Sequence, residues 1–263
     1  MSAASAGHDE EARPFRAARL HRFFVRPERV CDGKVRIEGP DARQICQVLR
    51  LGRGDEVAAL DGTGRAMIVR ISEAAPTRVV GDVLEVCRLG TEPRVRVTLA
   101  QALPKGDKLE FVIQKGTEIG VARFEVVTTA RAVPRPPDER IARRIARWRA
   151  IAKEAAEQSC RAVIPEVAGI TPLEQFVPRI AGFDLALCLW EGEDGTTIRD
   201  LLTRNRSAEN ILILVGPEGG FEEDEVRTVE ASGAVTVSLG RRILRSETAA
   251  IAAAAIVLYE LET

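Results

Sequence analysis

Short alternating runs dominate the first third of the chain, and helical spacing takes over after it. Apolar and β-branched residues recur at close intervals in His21–Val25, Lys34–Glu38, Glu56–Leu60, Ala66–Ile71 and Arg78–Val86. Turn-formers separate them at Asp32-Gly33, Gly52–Asp55 and Asp61–Gly64, a pattern that predicts strands. Strands so closely spaced predict a small β-barrel, interrupted by one helical piece over Asp41–Leu51. Past Thr91-Glu92-Pro93 the period changes. Arg94–Ala100 reads as a strand, and Lys108–Ile119 then places Leu109, Val112, Ile113 and Ile119 on one face, with Lys108, Glu110, Gln114, Lys115 and Glu118 opposite. That is amphipathic helical spacing. Glu125–Thr129 follows as a strand, Pro134–Pro137 as a loop, and Asp138–Arg161 as a long helix burying Ile141, Ile145, Trp148 and Ile151 or Ala152. Asp184–Leu189, Ile211–Val215 and Val235–Ser238 are three further apolar strands. Strands alternating with longer helices predict an α/β domain whose parallel sheet is covered on both faces. Its last helix, Glu247–Leu261, is apolar all round. Such a helix needs cover on every side, from its own domain or from a second subunit.

The change of period divides the chain into an extension over residues 1–18, a β-rich domain over 19–92 and an α/β domain over 93–263. Composition narrows what these domains do. A formal charge of −1 gives no global attraction for nucleic acid, so local clusters must decide. Arginines crowd the N-terminal segment at 13, 16, 19, 22, 26 and 29, and Arg140, Arg144 and Arg147 share one face of the long helix. Such stripes suit phosphate contacts, and equally an ordinary solvated face. The five cysteines, at 31, 46, 87, 160 and 188, are scattered without a Cys-x-x-Cys pair, which argues against a zinc ribbon or disulfide scaffold. The small, acidic N-terminus lacks a basic segment followed by an apolar one, so the expectation is a reduced, cytoplasmic protein. Ala249–Leu258 is a ten-residue apolar run, against about 20 for a membrane span. Only His8 and His21 are present, which removes a histidine base or a histidine metal site from the C-terminal half. No metal is expected.

Candidate chemistry concentrates in two strand-loop-helix corners, Leu214–Phe221 and Ser238–Ala250. Glycines let the backbone approach a ligand closely in both. The Gly216–Gly220 loop carries Glu218 and leads into Glu222, Glu223, Asp224 and Glu225. These acids complement a helix N-terminus but repel a polyphosphate. A neutral or cationic adenosine-bearing ligand fits better, although a plain strand-exit turn would explain the same residues. In the second corner Gly240 turns the chain, Ile243 and Leu244 suit a flat heterocycle, Arg245 suits an electron-rich oxygen, and Ser246 suits a helix cap.

Several ordered motifs resemble the ribosomal RNA small-subunit methyltransferase E family. They are Leu214-Val-Gly-Pro-Glu-Gly-Gly-Phe221, Ser238-Leu-Gly-Arg-Arg-Ile-Leu-Arg-Ser-Glu-Thr-Ala249, Gln101-Ala-Leu-Pro-Lys-Gly-Asp-Lys-Leu-Glu110 with Gln114-Lys115, and Trp148 through Glu154–Gln158 to Pro165-Glu166. Leu49-Arg50-Leu51 and Gly54-Asp55 match as well, so the resemblance spans about residues 21–263. It implies a SPOUT-class trefoil-knotted α/β domain that binds S-adenosylmethionine, preceded by a PUA-like RNA-binding barrel, in a homodimer that methylates N3 of one uridine in 16S ribosomal RNA. The implied cofactor residues are Leu189, Trp190, Glu191, Gly216, Pro217, Glu218, Gly219, Gly220, Leu239, Gly240, Ile243 and Leu244. Arg245 would stabilise charge on a uracil oxygen, and Glu247 or water would take the N3 proton. The stripes and matched motifs together assign RNA contacts to Arg22, Arg50, Lys105, Lys108, Lys115, Arg131, Arg147 and Arg161.

This chain departs from the family at Thr129-Ala130-Arg131-Ala132, where the usual pattern is Ser/Thr-Glu-Arg-Ser. It also has Ser246 where Thr is commoner and Trp190 where His is frequent. Two other readings stay open on the residues alone. One is a non-catalytic RNA-binding module, and the other is a knotted methyltransferase acting on a ribose 2′-hydroxyl or on transfer RNA.

Overall fold

Residues 17, 19–131, 138–193 and 195–262 are described by the computed structural model. The remainder of the 1–18 extension, with His8, Arg13 and Arg16, and the Pro134–Pro137 loop, with Ala132, lie outside the described residues. The chain packs as two units. One comprises residues up to Glu92 together with Ala156–Ile164, and the other comprises Pro93–Ala155 and the chain from Pro165 onward. The expectation of one uninterrupted domain over 93–263 is therefore corrected by the Ala156–Ile164 stretch.

In the first unit the alternating runs form β1 (Arg22–Phe24), β2 (Val30–Cys31), β3 (Lys34–Glu38), β4 (Glu56–Leu60), β5 (Arg65–Ala75) and β6 (Arg78–Arg88). A short helix α1 (Pro40–Arg43), continued by a wider turn over Gln44–Val48, falls between β3 and β4. The six strands form one sheet in the order β1-β4-β5-β6-β3-β2. Neighbours are antiparallel except β1 beside β4. One residue in two turns inward, so Phe23, Ile37, Val57, Val69, Ile71 and Val79 meet Ile45 in a single core. Glu157 joins the 156–164 stretch to this unit, its carboxylate accepting from the Phe24 N–H at 3.0 Å.

The second unit runs β7 (Arg96–Ala102), α2 (Lys108–Ile119), β8 (Arg123–Thr128), α3 (Asp138–Gln158), β9 (Glu166–Pro172), α4 (Leu173–Phe176), β10 (Leu185–Leu189), α5 (Ile198–Arg204), β11 (Asn210–Val215), α6 (Glu223–Ala231), β12 (Val235–Val237) and α7 (Ser246–Glu262). Its sheet is wholly parallel, in the order β12-β10-β11-β7-β8-β9. Leu212 and Leu214 turn to one face, packing with Ala100, Cys188, Phe176 and Val229. On the other, α7 packs against β7 and β11 and against α2. Both faces are thus covered, which is why β11 reads as an unbroken apolar run.

Two elements differ from the sequence reading. β9 was not expected: only Val167 and Ile170 in it are buried apolar residues, because an edge strand has a partner on one side alone. The long helix stops at Gln158, short of Arg161, since Cys160 takes a left-handed conformation with φ 63°.

Candidate active site

Three adjacent parallel strands end level with one another, Leu189 opposite both Val215 and Val237. Their carboxyl ends are where an open parallel sheet presents loops to a ligand. The loops leaving β10, β11 and β12 enclose a cavity of about 690 Å³. Of the twelve residues expected at a cofactor, all but Gly219 line it. Gly219 instead offers its carbonyl to Arg131 Nη1 at 3.0 Å. Lys108, Glu193, Ser238, Arg241, Arg242, Arg245 and Ser246 complete most of the wall. Gly220 is required where it stands: its φ is 70°, and a Cβ there would lie 2.8 Å from the Glu191 carboxylate. Ile243 is 90% exposed at the rim.

Polar side chains brace the wall from behind. Gln101, buried in β7, donates from Nε2 to Ser246 Oγ at 2.8 Å and to the Gly216 carbonyl at 3.2 Å. Ser246 Oγ donates to the same carbonyl at 2.7 Å. The cap expected of Ser246 is corrected, because α7 starts at Ser246 itself and the Arg245 carbonyl accepts from the Ala249 N–H. Glu193 staples the loop after β10 by accepting from the N–H groups of Gly195 and Thr196 at 2.8 and 2.7 Å and from Thr236 Oγ1 at 2.9 Å. The hydrogen bonds from Thr196, Thr236 and Gly195 hold its carboxyl below the ordinary range.

An ion cluster closes the side of the cavity next to α2. Lys108 Nζ donates to Glu218 Oε1 at 2.8 Å and lies 3.7 Å from Glu247 Oε2. The Lys105 N–H also donates to Glu218 Oε1, at 3.1 Å. Burial pushes the Glu218 carboxyl up, but the bonds from Lys108 and the backbone outweigh it and leave it below its usual value. Lys108 is raised, chiefly by its hydrogen bond to Glu218, and remains an ammonium. Glu247 Oε2 is covered from solvent and makes no hydrogen bond.

The expected RNA contacts separate by environment. Arg161 is 4% exposed and held by Glu92, with Nη2 to Oε2 at 2.6 Å. It is a buried structural cation, which corrects its assignment to RNA. Lys108 stands in the cavity wall, its ammonium bonded to Glu218 and its side chain 32% exposed. Arg22 donates to the carbonyls of Leu20 and Glu157. Arg50 is exposed, with φ 57°. Lys105 and Arg131 are exposed, Lys115 pairs with Glu118, and Arg147, although paired with Glu110 at 2.6 Å, keeps 64% of its side chain exposed. The sequence reading missed Gln101, Glu193 and the shared role of Ser246. A lone amide inside the apolar run Val97–Ala102 was the available signal for Gln101, because a buried polar group demands partners.

Residues 91–258 match the family model described as an RNA methyltransferase domain. The chain is 34% identical over 230 residues to Ribosomal RNA small subunit methyltransferase E of Bacillus subtilis (strain 168), covering 86% of this chain and 90% of that one. It is also 34% identical over 244 residues to the protein of that name from Synechocystis sp., covering 92% and 78%. Among solved structures, a Ribosomal RNA small subunit methyltransferase E from Neisseria gonorrhoeae bound to S-adenosyl methionine superposes with a TM-score of 0.80 at 28% identity, over 90% of this chain and 96% of that one.

Proposed function

The chain belongs to the ribosomal RNA small subunit methyltransferase E family and uses S-adenosylmethionine to methylate small-subunit ribosomal RNA, and from that premise we propose that the atom methylated is N3 of one uridine in 16S ribosomal RNA. The observation that carries this reading is the cavity at the ends of β10, β11 and β12, with Arg245 and Lys108 in its wall and Glu247 behind, 3.7 Å from the Lys108 ammonium. Its volume of about 690 Å³ suits a nucleoside-sized ligand. Backbone at Gly216, Gly220 and Gly240 gives close approach, Ile243 and Leu244 give an apolar cover, and the acids Glu191, Glu193 and Glu218 suit a cation better than a phosphate.

When bound, S-adenosylmethionine supplies an electrophilic methyl group whose transfer leaves a neutral thioether. The protein's residues must do the rest. The imide N3–H bond of uracil breaks as the N3 electron pair forms the new bond to carbon, and negative charge grows on the flanking oxygens. Arg245, exposed at the cavity rim, stabilises that charge. Glu247, two residues along from Arg245, or water accepts the proton. Holding base and methyl in line supplies much of the remaining acceleration.

The same reading extends to the finer architecture. The first unit is a PUA-like barrel that holds RNA, with Arg22 and Arg50 as contacts, and Lys105, Lys115, Arg131 and Arg147 are the contacts on the second. The C-terminal strands form a trefoil knot. Support comes from the strand order, in which the chain passes from β10 to β11 and then back beyond β10 to β12. A second copy of the chain covers the exposed apolar side of α7 and α2, where Tyr259 is 73% and Phe111 48% exposed. The protein works in the cytoplasm, with its ribosomal substrate.

Isothermal titration and methylation of unmodified small subunits test the proposal together. Micromolar binding of S-adenosylmethionine with appearance of 3-methyluridine supports it. Absence of binding favours the non-catalytic RNA-binding module, and methylation of a ribose hydroxyl or of transfer RNA favours the other knotted enzyme.

A further inference from the structure

Charge is sorted around the cavity by loop. Its acids, Glu191, Glu193 and Glu218, come from the loops after β10 and β11. Two of them are engaged, Glu193 with its own loop and Thr236, and Glu218 with Lys108 and the Lys105 N–H. The arginines, at 241, 242 and 245, all come from the loop between β12 and α7. All three are exposed, and among the described residues their side chains make no hydrogen bond or ion pair, not even with Glu191 in the same wall. Three like charges within five residues repel one another, so the loop is better suited to a bound polyanion than to the free protein. The two sides thus suit two ligands, the acids a cationic cofactor and the arginines an RNA backbone.

The loop is held at both ends. At its start Gly240 takes a φ of 110° and its N–H donates to Ser238 Oγ at 3.2 Å. At its end Ser246 is tied to Gln101 and to the Gly216 carbonyl. The guanidiniums therefore work from a fixed base, which lowers the ordering cost of binding. Arg245 already has a task, at the uracil oxygen. A uridine delivered there within an RNA chain brings the phosphates on either side of it to the same loop. We propose that Arg241 and Arg242 are positioning residues that bind those flanking phosphates and so seat the target nucleotide at the cavity. This deepens the function proposed above and rests on it.

Arginine suits the task because its planar fork meets two phosphate oxygens at once. Such contacts carry no base information. They fix register, and the choice of base stays with the cavity. The competing anion is the carboxylate of the cofactor itself, which a guanidinium would hold by the same bonds. Exposure favours the RNA: both side chains are open to the solvent from which it arrives, and two guanidiniums exceed what one carboxylate needs.

The test measures binding of unmodified small subunits as a function of salt, with S-adenosylmethionine affinity by titration, for the wild type, Arg241→Gln, Arg242→Gln, Arg241→Lys and Arg242→Lys. Each glutamine variant should lower the slope of log affinity against log salt by about one. Each should also raise KM for subunits more than it lowers kcat, with S-adenosylmethionine affinity at the wild-type value. The lysine variants should keep the wild-type slope, since counterion release follows the charge rather than the fork. A slope unchanged in both glutamine variants would overturn the inference. Joined to weakened S-adenosylmethionine binding, it would make the arginines holders of the cofactor carboxylate; joined to wild-type binding, it would make them an ordinary solvated loop. A wild type that makes no 3-methyluridine would sink the underlying reading instead, while the slope would still decide whether these arginines meet phosphate.

Discussion

Gln101 shows how one side chain can hold a ligand wall without touching the ligand. Its amide bonds join the loop after β11 to the start of α7 through Gly216 and Ser246. Gln101→Leu keeps the volume but takes one partner from each, leaving the Gly216 carbonyl and the Ser246 hydroxyl bonded only to one another. It should cost about 1–3 kcal/mol by denaturant unfolding and weaken S-adenosylmethionine binding, while Gln101→Glu should bind no better than the leucine variant. Titration also acts at this scale. Glu193 and Glu218 are held below the ordinary glutamate value of 4.5 by the hydrogen bonds they accept. A group depressed on folding stabilises the protein above its unfolded pKa, and that stability is lost as pH falls through the folded value. The melting temperature should therefore hold above about pH 5 and fall steeply below 4.5. Glu193→Gln should flatten that fall, and an unchanged acid limb would contradict the assignment. Which cation serves which site was only partly legible. A sequence shows Lys108 on the polar face of a helix, but not that the helix starts against Glu218. Likewise Arg161 looks like any surface arginine until Glu92 is seen to bury it.

At the scale of elements, helix packing sets the position of the ion cluster. Gly116 in α2 lies where a Cβ would meet the Phe124 ring of β8 at 2.7 Å. Gly116→Ala should therefore push α2 off the sheet, costing about 1–3 kcal/mol. Because Lys108 rides on the same helix, activity should fall more than stability alone explains, as a joint melting and initial-rate measurement would show. In the first unit, Gly81 lies beside a β5–β6 register shift, and a Cβ added to it would stand 2.7 Å from the Arg70 carbonyl oxygen. Gly81→Val should destabilise that unit and leave S-adenosylmethionine affinity unchanged. Strong periods made the elements legible: Lys34–Glu38, Glu56–Leu60 and Lys108–Ile119 form over the residues the pattern marks. β9 was not legible because Gly169 and Pro172 interrupt it and only two apolar residues are buried in it. The start of α7 was legible only to within a residue, since Ser246 suits a cap and a loop tie equally well.

For the whole molecule, the parallel sheet follows from sequence alternation, but its order, β12-β10-β11-β7-β8-β9, does not. Order depends on which apolar faces meet, and β7, β8, β10 and β11 offer similar buried runs. The return of Ala156–Ile164 to the first unit was hidden for a different reason. It rests on the Glu92–Arg161 pair and the Glu157 bond to Phe24, single long-range contacts that leave no periodic trace. The apolar side of α7 makes a prediction at this scale. Tyr259→Glu should turn a sedimenting dimer into a monomer at micromolar concentration, and a wild type that is already an active monomer would refute the second-copy reading. The central claim is methylation of uracil N3 with Arg245 as charge stabiliser. The most direct measurement is nucleoside mass analysis of 16S ribosomal RNA after unmodified small subunits are incubated with S-adenosylmethionine and the wild-type or Arg245→Ala protein. The expected result is 3-methyluridine at a single position with the wild type, and a loss of about a hundredfold or more in initial rate with Arg245→Ala at unchanged cofactor affinity. A methyl group on a ribose hydroxyl, or an Arg245→Ala protein as fast as the wild type, would contradict it.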